Sequence, residues 1–81
     1  MSGPLKPYRL FVYEDGYHRP GDHLGVRLLR TGEIKATSDA AATAKARGLL
    51  DELITDPQAQ YIEVWALLDD GARRYVTAVK P

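Results

Sequence analysis

The residues best suited to bind or transform something fall into three groups. His18 and His23 share one stretch with Asp15 and Asp22. Two imidazoles and two carboxylates form a donor set for zinc. Their spacing matches no compact ligand signature, and the surrounding run Glu14–His23 (EDGYHRPGDH) reads as a loop with nothing to orient them. No metal and no other cofactor is therefore expected. Catalysis has less support still. A nucleophile needs a positioned base and a third group to orient that base. Of the serines, Ser2 sits near the chain start and Ser38 opens a helix, where capping explains it. Glu14, Asp15, Asp69 and Asp70 flank β runs, without the burial that raises a catalytic carboxyl pKa. Gly16, Gly21, Gly25 and Gly32 precede no helix directly, so no phosphate cradle is formed. The expectation is that the chain is not an enzyme.

The third group combines cations with aromatic rings. Arg9, Arg27, Arg30, Lys35, Arg73 and Arg74 could gather on a sheet whose aromatic side chains stack on unpaired bases. Single-stranded nucleic acid is therefore one partner to weigh. Against it, 11 Lys and Arg balance 11 Asp and Glu, and the formal net charge is zero. A nucleic-acid clamp and an acidic nucleic-acid mimic both need a field of one sign.

Those side chains must be positioned by a small structure. At 81 residues the chain makes one domain, and 44% hydrophobic residues suffice for a core. No cysteine is present, so neither a disulfide framework nor a thiolate metal site is available. No window is apolar enough to span a membrane, and no export signal stands at the start, so a cytoplasmic location is expected. Residues 1–7 read as a flexible tail because Gly3, Pro4 and Pro7 lie there. Residues 8–81 read as a single α+β domain.

Tyr8–Tyr13 (YRLFVY) and Leu24–Leu29 are rich in aromatic and branched residues and predict two strands. Thr31-Gly32-Glu33 predicts a turn, and Ile34–Thr37 either a short third strand or an extended run. Ser38-Asp39 opens a helix reaching about Thr55, with Ala42, Ala46, Leu49, Leu50 and Leu53 on one stripe. Gly48 within it suggests close approach of a neighbouring backbone. Asp56-Pro57 ends it. Tyr61–Leu68 and Arg73–Lys80 predict a hairpin about Asp70-Gly71. The architecture is ββ(β)αββ: an antiparallel sheet of four or five strands, with one helix on one face.

A single helix cannot cover both faces of such a sheet. If Ile62, Val64, Ala66 and Leu68 face the helix, Tyr61, Trp65, Leu67 and Val76 form an apolar patch opposite, with Phe11 or Tyr8 beside them. Arg73 and Arg74 would rim it. Exposed patches of this kind mark protein interfaces, where Trp, Tyr and Arg act as anchors. The tail or the Glu14–His23 loop could instead fold over this face, or the register could turn Trp65 inward. The expected role is a small non-enzymatic protein–protein interaction module that binds another protein or a second copy of itself. Tyr61, Trp65, Leu67, Arg74 and Val76 are its partner-binding residues.

The pattern also resembles small phage or mobile-element proteins of the anti-CRISPR kind. Several of these are compact sheets with one alanine-rich helix opened by a Ser-Asp type of cap, as in Thr37-Ser38-Asp39-Ala40-Ala41-Ala42-Thr43-Ala44-Lys45-Ala46 here. The likeness covers the whole chain in architecture and includes no diagnostic motif. It implies a protein that blocks a larger protein complex, and it carries over no functional residues.

Overall fold

A computed structural model describes residues 3–17 and 25–81. The order is β1 (Lys6–Tyr17), β2 (Gly25–Ala36), α1 (Asp39–Gly48), α2 (Leu50–Leu53), β3 (Gln60–Leu67) and β4 (Arg73–Val79). The strands form one antiparallel sheet in the order β2-β1-β3-β4. The described residues thus form an α+β domain of the expected kind, with four strands.

No separate strand forms at Ile34–Thr37, because β2 runs straight through Thr31-Gly32-Glu33 to Ala36. Gly32 pairs with Leu10 and Glu33 with Arg9, in ordinary extended geometry. Continuous pairing to β1 outweighs the local turn preference of Thr-Gly-Glu. At its start, β1 takes Lys6 and Pro7 from the expected tail, and it extends past Tyr13 to Tyr17. The β1–β2 pairing therefore outruns the rest of the sheet, since β3 pairs with β1 only from Tyr8 to Glu14. The principal extents are 52 × 28 × 15 Å. The radius of gyration is 14.0 Å, against about 12 Å for a compact chain of this length.

Ser38 caps α1 as its position predicts. Its backbone is extended, and its Oγ accepts from the Ala41 N–H at 3.1 Å. Asp39 in the first turn and Lys45 and Arg47 in the last suit the helix dipole. The helix does not reach Thr55 unbroken. It stops at Gly48, the Leu49 N–H closes back on the Ala46 carbonyl at 3.0 Å, and a single turn follows as α2. No neighbour lies within 4 Å of a Cβ built at Gly48, so close packing is not the reason for this glycine. Its low helix propensity fits its place at the break. Gln60, buried at the start of β3, ties the exit from α2 by accepting from the Thr55 N–H at 2.8 Å.

The core lies between the helices and one sheet face. Tyr8, Leu10 and Val12 of β1, Ile62, Val64 and Ala66 of β3, Val79 of β4 and Ala36 of β2 pack against Ala42 and Ala46. The small alanines bring α1 close to the sheet. Leu49, Leu50, Leu53 and Ile54 close the edge of the cluster. Leu68, expected among the covered residues, lies beyond the end of β3 and is 43% exposed.

Candidate docking face

Side chains alternate along a strand, so the pairing register assigns each residue to a face. Opposite the helices, β1 carries Arg9, Phe11 and Tyr13, and β3 carries Tyr61, Glu63, Trp65 and Leu67. The β3–β4 hairpin decides the rest. From Ile62↔Val79 to Val64↔Thr77 its register is the expected one, and then it slips by one residue at Trp65↔Tyr75. The cause is a mismatch between the two ends. At the turn, the Gly71 N–H bonds the Leu68 carbonyl at 3.0 Å, and the Leu68 N–H bonds the Ala72 carbonyl at 2.9 Å. Gly71 has φ +86°, a conformation that glycine adopts without strain. This turn sets one register, burial of Ile62 and Val79 sets another, and a β-bulge at Val76 absorbs the difference.

The bulge corrects two of the expected contact residues. Val76 packs against the core rather than standing beside Trp65. Arg74 aligns with Ala66 and reaches the helix side, donating to Asp39 Oδ2 at 2.9 Å and Oδ1 at 3.0 Å. Tyr75 and Arg73 take their places on the open face. Tyr61, Trp65 and Leu67 lie there as the alternation predicts, and Phe11 rather than Tyr8 joins them. Tyr8 is buried on the helix side, its hydroxyl donating to Asp39 Oδ1 at 2.8 Å. Sequence reasoning missed Tyr13 and Tyr75 as members of the patch. The alternation of Phe11 with Tyr13 carried a signal for the first, whereas the second depended on the bulge.

The resulting surface is a chain of touching rings. Tyr61 stacks on Tyr13 at 5.7 Å between centroids, and Tyr13 on Phe11 at 6.3 Å. Trp65 meets Phe11 edge-on at 6.4 Å and Tyr75 edge-on at 5.4 Å. These are favourable ring geometries that hold the aromatic side chains in place. The Arg73 guanidinium lies 5.1 Å from the Phe11 centroid and 5.7 Å from that of Trp65. It and the neighbouring rings leave Phe11 only 8% exposed. At the other end the Lys80 ammonium sits 5.7 Å from the Tyr61 ring. Both are cation–π arrangements. The Trp65 indole N–H donates to Glu63 at 3.0 Å, so the polar tip of this ring is already satisfied. Burial, and then the charge of Glu63, push the Tyr61 phenol above its ordinary pKa. Tyr75 is 49% exposed, as are Leu28 at 48% and Val26 at 52%, which continue the face onto β2.

Charge on this face is mixed. By register it holds Arg9, Lys35, Arg73 and Lys80 together with Asp15, Glu33 and Glu63. Arg9 and Glu33 are 3.7 Å apart across β1 and β2. Arg27 and Arg30 align with Glu14 and Val12 on the other side of the sheet, and Arg27 lies 3.7 Å from Glu14. The expected gathering of cations is thus divided between the two faces. Among the described residues no histidine, cysteine and carboxylate cluster could hold a metal. His18, Asp22 and His23 lie outside the described residues. No described helix is long and apolar enough to cross a membrane. No protein-family model, curated protein or solved structure matches the chain.

Proposed function

We propose that the chain is a non-enzymatic docking module that binds a protein partner, another protein or a second copy of itself, through its open sheet face. The observation that carries this reading is the row of rings Tyr61, Tyr13, Phe11, Trp65 and Tyr75, lying opposite both described helices. An antiparallel sheet with one wet face ordinarily makes that face polar. Here it is aromatic and braced in advance, so little side-chain freedom is lost on contact. Tyr61, Trp65, Leu67, Tyr75 and Arg73 are its anchors, and Arg74 and Val76 act from behind, the one through its bonds to Asp39 and the other through the bulge. Asp15, Glu33 and Glu63 stand among the cations of this face, so it lacks the field of one sign that a phosphate backbone calls for, which weighs for a protein over single-stranded nucleic acid. Blocking of a larger complex, implied by the resemblance to phage-type inhibitors, is one form that such docking takes.

Site-directed photo-cross-linking in host extract tests the reading. A photoreactive residue at Tyr75 or Lys80 is expected to capture protein, and one at Ala44, on the exposed side of α1, is not. Capture of nucleic acid from Tyr75 supports the base-stacking alternative. Capture from Ala44 alone overturns the assignment of the face.

A further inference from the structure

We infer that the occupant of the open face is a second copy of this chain, packed sheet against sheet about a two-fold axis. This rests on the docking reading and goes beyond it by naming the partner. Three observations support it.

The first is area. The chain exposes 5531 Å², whereas a monomer of 9.0 kDa is expected to expose about 4,850 Å². The excess of about 700 Å² belongs to the whole chain, and the open face contributes the half-exposed Tyr75 to it. Part of it belongs to the projecting β1–β2 ribbon, whose outer residues Val26 and Leu28 extend the same face.

The second is charge. In a two-fold interface one patch meets itself, so it must be complementary to its own charges. A patch of one sign repels its copy. This one intersperses Arg9, Lys35, Arg73 and Lys80 with Asp15, Glu33 and Glu63. The zero formal net charge of the chain removes long-range repulsion between copies as well.

The third concerns the sheet edges. Both edge strands, β2 and β4, are interrupted by bulges, between the partners of Val12 and Tyr13 and between those of Val64 and Trp65. Arg27, Arg30 and Lys35 line one and Arg73 and Arg74 the other. Such features oppose edge-to-edge pairing. Association is thereby directed to the face, in the stacked geometry of a β-sandwich, with sheets about 10 Å apart.

Sedimentation equilibrium of the full chain, from micromolar to about millimolar, tests this. The expected result is a shift from 9.0 kDa to twice that mass. Tyr75→Lys and Trp65→Ala should each weaken the dimer by about tenfold or more, while Arg47→Ala on α1 leaves it unchanged. Circular dichroism and thermal melts confirm that each variant is folded, and Tyr75→Lys, at an exposed edge position, carries the test if Trp65→Ala is not. A monomer throughout overturns the second copy as occupant and leaves protein docking to the cross-linking experiment. A dimer indifferent to both face variants overturns this interface.

Discussion

Removing the Tyr8 hydroxyl probes the clasp of Tyr8, Asp39 and Arg74 that holds α1 to the sheet. Tyr8 is 2% exposed, and its hydroxyl donates to Asp39, which also receives Arg74. A hydrogen bond to an ionised acceptor contributes about 1.5–3 kcal/mol. In Tyr8→Phe, Asp39 keeps Arg74, and its side chain is 44% exposed, so water recovers part of the loss. The expected destabilisation is therefore about 1–2 kcal/mol. Asp39→Ala does more damage, because it strands the buried hydroxyl, at about 1–3 kcal/mol, and releases Arg74. In that background Tyr8→Phe removes an unsatisfied group instead of a bond and should cost nothing or restore stability. The double-mutant cycle thus yields a coupling of about 1–2 kcal/mol. Stability for this length is about 4–12 kcal/mol, so urea titrations with Trp65 fluorescence resolve the difference. If the two losses add within about 0.5 kcal/mol, the clasp does not act as a unit.

The same clasp predicts a pH dependence. The hydrogen bonds from Arg74 first and Tyr8 second hold the Asp39 carboxyl below its ordinary pKa. A lowered carboxyl adds stability that is full above the ordinary carboxylate range and lost as pH falls through the lowered value. Acid unfolding followed by circular dichroism should show this limb, and Asp39→Asn should flatten it. Ile62→Ala, at a position with 0% exposure, should cost about 2–5 kcal/mol in urea, while Tyr75→Ser on the open face should cost about 1 kcal/mol or less. Equal costs would mean that both faces are core. Gly71→Ala forces a side chain into positive φ and should cost about 1–2 kcal/mol, lowering the thermal midpoint without changing the fold seen by circular dichroism.

Much of this fold was legible from local pattern. The Ser38 cap, the stripe through Ala42 and Ala46, and the alternation along β3 each follow from chemistry within a few residues. The hairpin's far register was legible too, since Ile62 and Val79 had to be buried together. What escaped depended on distant or competing preferences. Thr31-Gly32-Glu33 resembles a turn until β1 lies alongside it. The stripe through Leu49, Leu50 and Leu53 continues the helical spacing past Gly48 and so hides the break there. The bulge at Val76 arises from a conflict between a turn and a core, and neither end alone reveals it. That one inserted residue moved Arg74 to the helix side and put Tyr75 beside Trp65. The patch was therefore legible as a patch, centred on Trp65 and rimmed by Arg73, while the places of Arg74, Tyr75 and Val76 on β4 were not.

Trp65 is the only tryptophan of the chain, so acrylamide quenching of its fluorescence reports directly on the open face. In dilute solution the indole should be readily quenched, with protection growing as concentration rises through dimer formation, and no such protection in Tyr75→Lys. An indole equally shielded at the greatest dilution would mean that the face is already closed within a single chain, and that there is no surface there for a partner to meet.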